Sequence, residues 1–445
     1  MITVLIQKTD PDTDPDKSEL GTLNRFSMTA TVFSSKVIGA ANRESGQGIP
    51  RIDPIFFEKG GHVSLNPSRR QFLQAGLALP AASLVSPNFQ GSASTAPPKI
   101  VYRTLGKTGL KVSAMGYGIG FKPVPEVVAR ALELGINYFD TSRDYGDSES
   151  IFAGVLKKGI VPRNKIHIAT KSPSRKKADI LNDLDTSLKA LGTDYVDIWH
   201  LHARDTPSAI PDEALEAMAA CKKSGKARFL GFSCHDPKNM VDFHIKSEVF
   251  DVMQTTYSWP IGSYYRDEAV KKLAAAGKGI IAMKVVVGLT GLHLKGFDNP
   301  PASKEQEGPL AGIKWVLKNP AIGTTVPFMQ KVSELEMNIR AMSEDFTPAD
   351  EKLLYVMNEQ IRPLYCRMCY ECKGECPKGM PVTDVLRYLA YNDFAGNYHQ
   401  ALANFRNLPS EIREVRCSDC SSCAIKCPNG VAVRDRLMRA QQLLA

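Results

Sequence analysis

An eight-stranded (β/α)8 barrel followed by a smaller, cysteine-rich helical domain is the α/β architecture that the sequence predicts, on three observations. From Val101 to about Met342, strand-like and helix-like segments alternate over the roughly 250 residues such a barrel needs. Polar residues capable of acid–base chemistry stand at the carboxyl ends of several of those strands, where a barrel keeps its reactive groups. Beyond the barrel, eight of the ten cysteines crowd between Cys366 and Cys427. The 445 residues are too many for one ordinary domain.

Residues 1–67 show no sustained periodicity, and the DPDTDPDK run at Asp10 to Lys17 is acidic and broken by proline. The stretch reads as disordered, or as an extension mis-assigned upstream of the true start. Residues 68–96 open with SRRQFLQAGLALPAASLV, an arginine pair followed by an Ala-rich, uncharged stretch, with small residues near Ala93. This run is similar to a twin-arginine export signal. The resemblance implies a periplasmic or otherwise exported protein that the twin-arginine translocase handles as a partner.

The barrel is expected over residues 100–345. Strands read at Val112–Ile119, Ile136–Thr141, Ile166–Lys171, Val196–His202, Ala227–Ser233, Phe250–Tyr257, Gly279–Val286 and Ala321–Val326, each rich in β-branched and aromatic residues. The gaps hold helical patterns such as PEVVARALELG and ADILNDLDTSLKALG, with apolar residues three and four apart. A doubly wound open sheet would instead want a glycine-rich phosphate loop and then a helix start. The GYGIG at Gly116 is followed by Phe121, Lys122 and Pro123, which fits that arrangement poorly.

Composition excludes several classes. The net charge of +9 is diffuse, with 9 basic and 8 acidic residues up to Ala93 and 47 against 39 beyond it, so no basic patch points to nucleic acid. The chain has no apolar run of eighteen residues, so no stable membrane span is expected.

Asp140 closes the second strand, in INYFDTSRDYGDSE, and Tyr145 follows in the loop beyond it; Lys171 closes the third strand and His202 the fourth. All four belong to one mouth of the barrel. The run from Tyr102 to about Met342 resembles the aldo-keto reductases: YRTLGKTGLKVSAMGYG is similar to that family's opening hairpin and first strand, and FDTSRDYGDSE to its Asp-Tyr motif. The resemblance implies a TIM barrel and a catalytic tetrad of Asp140, Tyr145, Lys171 and His202. Its activity would be hydride transfer between NADP or NAD and a small-molecule carbonyl or alcohol. A carbonyl accepting hydride needs a proton on its oxygen, which Tyr145 would donate once Lys171 had lowered its pKa. Asp140 would hold Lys171, and His202 would bind the carbonyl oxygen. His200, two residues earlier and on the same face, reads as a satisfied core histidine.

The same resemblance implies a nicotinamide carboxamide held by Ser233, Cys234 (in place of an asparagine) and Gln254, an aromatic for the ring near Tyr257, and adenine binding by Asn338. Cys234 by itself reads as a small strand-end filler. Phe328, Met329 and Glu334 stand where NADP-selective members carry small or basic residues, so the choice between NADP and NAD stays open.

The last region, residues 346–445, carries CRMCYECKGECP and CSDCSSCAIKCP. Each is C-x2-C-x2-C-x3-C-P, the spacing of a [4Fe–4S] ligand run whose fourth cysteine serves the other cluster. Cys366, Cys369, Cys372, Cys376, Cys417, Cys420, Cys423 and Cys427 are therefore the expected ligands of two clusters. The 40 residues between the runs include the helix-like PVTDVLRYLAYN, so the unit resembles an α-helical ferredoxin. Basic residues exceed acidic ones by 12 to 8 after Gln360, which suits anionic clusters. Export of a protein whose cofactors are already inserted would reconcile eight thiols with an oxidising compartment.

The whole reads as an exported reductase that passes electrons through two clusters, with a redox partner protein as their outlet. Two alternatives stay open: clusters that are only structural, and a redox-sensing or electron-carrying module with an inactive barrel.

Overall fold

Alternating side-chain direction along each strand sorts the barrel's residues into an inner and an outer shell. The computed structural model describes residues 99–259, 264–287, 289, 307–394 and 396–445, all within one compact unit. The disordered extension expected at 1–67 and the export signal at 68–96 lie outside the described residues.

Eight parallel strands follow one another around the barrel: β3 (Tyr117–Gly118), β4 (Tyr138–Asp140), β5 (His167–Ser172), β6 (Val196–Leu201), β7 (Ala227–Cys234), β8 (Val252–Thr256), β9 (Gly279–Met283) and β10 (Thr324–Thr325). The ring closes where Met115 pairs in parallel with Thr325 and the Gly116 N–H donates to the Thr325 carbonyl at 2.8 Å. Around it run α1 (Pro125–Glu133), α2 (Ser148–Leu156), α3 (Lys177–Leu191), α4 (Asp212–Lys223), α5 (Val241–Lys246), α6 (Tyr264–Ala275), α7 (Glu307–Leu317) and α8 (Val332–Asn338).

The first expected strand, Val112–Ile119, is two elements rather than one. Its start is β2 (Lys111–Ser113), which pairs antiparallel with β1 (Tyr102–Thr104); its end is β3. The hairpin closes the amino-terminal end of the barrel, because Leu105, Leu110 and Val112 enter the interior cluster with Tyr138, Ala169, Ile198, Val252 and Ile281. Gly323 is needed there: a Cβ would stand 2.6 Å from Leu105 Cδ1.

Above this apolar floor the inward face turns polar within two residues on four of the strands. Tyr138 is followed by Asp140, Ala169 by Lys171, Ile198 by His200 and Val252 by Gln254, all buried. Period-two alternation therefore builds the candidate site directly on the core.

The helix α9 (Pro348–Ile361), expected in the second domain, packs on the barrel instead. Its Leu354 and Met357 meet Leu289 and Ala311, so the second core begins only at Ile361. That core lies among α10 (Val382–Asp393), α11 (Tyr398–Arg406), α12 (Ser410–Arg413) and α13 (Val433–Leu444), around Leu386, Leu389, Phe405 and Leu437. Buried Asp393 ties α10 to α13 through Arg436 and Arg439, the latter at 2.7 Å. No helix among the described residues is long and apolar enough to cross a membrane.

Candidate active site

At the carboxyl end of the barrel, Lys171 is buried and its ammonium donates to Asp140 Oδ2 and to the Thr141 carbonyl, both at 2.6 Å. Gln254 Nε2 reaches the same carboxylate oxygen at 3.1 Å. Tyr145 lies above them, its ring centroid 5.9 Å from the ammonium and 5.6 Å from the His202 ring, which it meets edge-on. The four expected residues are thus brought together.

Their electrostatics depart from expectation at Tyr145. Burial, then the carboxylates of Asp144 and Asp140, hold its phenol well above the ordinary value rather than below it. Two of the three protons on Lys171 are already committed to Asp140 and Thr141, and desolvation of the phenolate dominates. A tyrosine in this setting stays protonated at neutral pH and gives its proton up only to a strong base, such as the alkoxide that a reduced carbonyl becomes.

Sequence reasoning missed Asp144. Its Oδ1 lies 3.0 Å from His202 Nδ1, with Ser142 Oγ 3.2 Å from the same nitrogen. Burial raises the Asp144 carboxyl, but the charge and hydrogen bond of His202 outweigh it and bring it down to about 2. The ionised carboxylate keeps a proton on Nδ1 and leaves Nε2 for the cavity. A carboxylate one residue before the tyrosine, in SRDYGDS, was the available signal.

His200 is fully buried, and burial pushes its imidazole well below the usual range. Neither ring nitrogen has a hydrogen-bond partner, so it is a neutral core residue but not a satisfied one.

The expected cofactor residues divide. Ser233 and Gln254 face the mouth; Ser233 Oγ accepts from the Ala203 N–H at 2.8 Å, and Gln254 Oε1 is buried without a partner. Cys234 does not face it, because alternation sends its side chain outward among apolar residues. Its thiol lies 3.6 Å from Thr255 Oγ1, and burial raises its pKa. Tyr257 is likewise turned into the helical shell, stacked 5.1 Å from Trp315 and donating to Asp267 at 2.7 Å. Asn338 ends α8, buried, with Oδ1 unpartnered.

A cavity of about 1270 Å³ extends from Asp140, Tyr145 and His202 past Gly118 and Val285 to Phe328 and Glu334, long enough in chemical variety to take an extended ligand. Unpartnered Gln254 Oε1 and Asp140 Oδ1 at one end, and a groove floored by glycine, fit a dinucleotide carrying an amide. Glu334 accepts from the backbone N–H groups of Gln330 and Lys331, at 2.9 and 3.2 Å.

The helix α10 roofs part of this cavity. Arg387 of α10 is buried against His235 and pairs with Asp384 at 2.7 Å and Asp205 at 3.5 Å. Burial and that guanidinium hold the His235 imidazole down to about 3, so it is neutral. Arg266 of α6 donates to the Met368 carbonyl at 2.9 Å, tying the first cysteine run to the barrel.

The two cysteine runs are joined to one another. Lys373, inside the first run, and Lys426, inside the second, exchange both backbone hydrogen bonds at 2.9 Å. Gly374 makes the approach possible: its φ is +81°, and a Cβ would meet the Ala424 carbonyl oxygen at 2.4 Å. This pairing sorts the thiols into two sets. Burial raises the thiol pKa of both Cys366 and Cys417; the neighbouring thiols that add to the rise are Cys372, Cys369 and Cys427 at the first, and Cys376, Cys420 and Cys423 at the second, where Lys378 opposes them. Among the described residues, however, no three His, Cys, Asp or Glu side chains are arranged to hold a metal ion.

Residues 117–310 match the model of the aldo/keto reductase family. The chain is 31% identical to L-galactose dehydrogenase of Arabidopsis thaliana over 284 residues, covering 55% of this chain and 89% of that protein. It is 30% identical to L-glyceraldehyde 3-phosphate reductase of Escherichia coli over 162 residues, 31% of this chain and 46% of that one. Among solved structures, the holo form of aldo-keto reductase AKR11C1 from Bacillus halodurans is 22% identical with a TM-score of 0.49, covering 58% of this chain and 96% of that one.

Proposed function

Because this chain belongs to the aldo/keto reductase family and is an NAD(P)-dependent oxidoreductase, we propose that its barrel mouth interconverts a small carbonyl compound and its alcohol. The observation that carries this reading is the meeting of Asp140, Tyr145, Lys171 and His202 above one apolar floor. When bound, the nicotinamide supplies or accepts the hydride. Tyr145 keeps its proton until charge develops on the substrate oxygen, and then gives it up; Lys171, oriented by Asp140, offers its remaining proton to that phenolate. His202, fixed by Asp144, orients the same oxygen through Nε2. Ser233, Gln254 and Asn338 would hold the dinucleotide, and a carboxylate at Glu334 opposes a 2′-phosphate more than a ribose hydroxyl.

The second domain is read as the holder of two [4Fe–4S] clusters, one on Cys366, Cys369, Cys372 and Cys427 and the other on Cys376, Cys417, Cys420 and Cys423. The backbone pairing of Lys373 with Lys426 supports this division, and the Met368 N–H at 3.4 Å and Asn429 Nδ2 at 3.2 Å donate to the sulfurs of Cys366 and Cys369. Such clusters supply one-electron transfer, here to a redox partner protein. Protein purified without oxygen should contain about eight irons and as many labile sulfides per chain. Iron near zero, with zinc in its place, would remove the electron-transfer reading and leave the reductase. The export reading, with passage through the twin-arginine translocase, rests on Arg69, Arg70 and the uncharged run after them.

A further inference from the structure

Two lysine–tyrosine pairs stand at the barrel mouth. Lys171 and Tyr145 are the first. The second is made by both domains: Lys284 follows β9 at the barrel mouth, and Tyr391 comes from α10. The Lys284 ammonium stands 4.5 Å from the centre of the Tyr391 ring and 3.5 Å from its hydroxyl. Lys284 adopts φ +60°, the left-handed region that a residue with a side chain enters at a cost, and it does so at the cavity wall.

Tyr391 is placed there by the helix face it shares. Asp384, Arg387 and Tyr391 are three and four residues apart, so they lie along one side of α10. Arg387, bound to His235, Asp205 and Asp384, anchors that side to the ends of β6 and β7. A buried guanidinium with this many partners gives α10 a single seating on the barrel.

The Tyr391 hydroxyl is positioned but not satisfied. Its contacts, Lys284 Nζ and His235 Nε2, are both at 3.5 Å, the outer limit for a hydrogen bond. It lines the same cavity as Asp140, Tyr145 and His202. A weakly held phenol beside an ammonium, facing a catalytic cavity, is a donor and an acceptor awaiting a ligand oxygen.

We propose that Tyr391, supported by Lys284, binds a second oxygen of the substrate, so that the enzyme selects polyoxygenated carbonyl compounds such as hydroxyaldehydes and sugars over simple alkanals. The proposal rests on the reading of the barrel mouth as the site of hydride transfer. It makes the second domain part of the specificity pocket.

The test uses the full-length protein with its metal content intact. Reduction of glyceraldehyde and a hexose is compared with that of propanal and hexanal, in the parent, in Tyr391→Phe and in Lys284→Met. The parent should prefer the oxygenated substrates. Each variant should lose about tenfold or more in kcat/KM for them, as expected for one lost hydrogen bond to a polar ligand, chiefly through KM. The alkanals should stay within about threefold, with nucleotide affinity and visible absorbance unchanged. Parallel losses on both substrate classes, or no loss on either, would overturn the proposal alone. Absence of turnover by the parent on every aldehyde would overturn the hydride-transfer reading and this proposal with it.

Discussion

Replacing Tyr145 by Phe should lower kcat by about 10²- to 10⁴-fold while leaving nucleotide affinity unchanged, the range typical of a lost general acid. The substitution removes one hydroxyl and keeps the ring, which packs against Phe121 at 5.2 Å and against His202. Structure around the site should therefore survive. The raised phenol pKa sharpens the expectation, because the hydroxyl keeps its proton at neutral pH and so is held ready as a donor. Rates measured with any accepted aldehyde, together with a nucleotide titration, decide the matter. A variant within threefold of the parent would take the proton-donor role away from Tyr145.

The second large effect is expected at Cys366, replaced by Ser. Its thiol is buried, accepts the Met368 N–H at 3.4 Å, and neighbours Cys369, Cys372 and Cys427. On the proposed cluster reading, a domain this small would gain part of its folding free energy from metal binding, so loss of one ligand should reach beyond one cluster. Iron should fall from about eight per chain to about four or fewer, and the chain beyond Ile361 should become sensitive to protease. The barrel should stay folded, since α9 packs on α7 through Leu354 and Met357 rather than on the second core. Turnover should fall as well, because Arg387 and Tyr391 reach the mouth only while α10 is seated. Full iron content and unchanged protease resistance would show that Cys366 is not a ligand.

Most of the barrel was legible because burial on both faces writes strands as apolar runs, and the polar residue at each strand's end then marks the mouth. Asp140, Lys171 and His202 were found in this way. The bend between Ser113 and Tyr117 was missed, since the residues on either side of it are equally apolar and only tertiary pairing with Thr325 separates hairpin from barrel. Cys234 was misplaced for a reason the sequence did contain: it follows the inward-facing Ser233, and alternation must turn it away. Tyr257 lies one residue beyond β8, where alternation no longer applies, and its stacking on Trp315 depends on a helix that arrives nearly sixty residues later.

The charge state of Tyr145 depends on desolvation, which needs the surrounding walls and cannot be read from neighbours in the chain. Arg387 and Tyr391 were invisible for a similar reason. Their helix was recognised, but their partners, His235 and Lys284, lie more than a hundred residues earlier, and nothing in PVTDVLRYLAYN names them. The two cysteine runs were legible as a repeated spacing, and the structure lays them side by side through the backbone pairing of Lys373 with Lys426.

The most direct test of the account is the fate of a labelled hydrogen. Reduced nicotinamide dinucleotide deuterated at C4 on the transferred face should deliver one deuterium to the carbinol carbon of the product alcohol, with consumption of cofactor and formation of alcohol in equal amounts. Consumption of the cofactor with no deuterium on that carbon would contradict hydride transfer at this barrel.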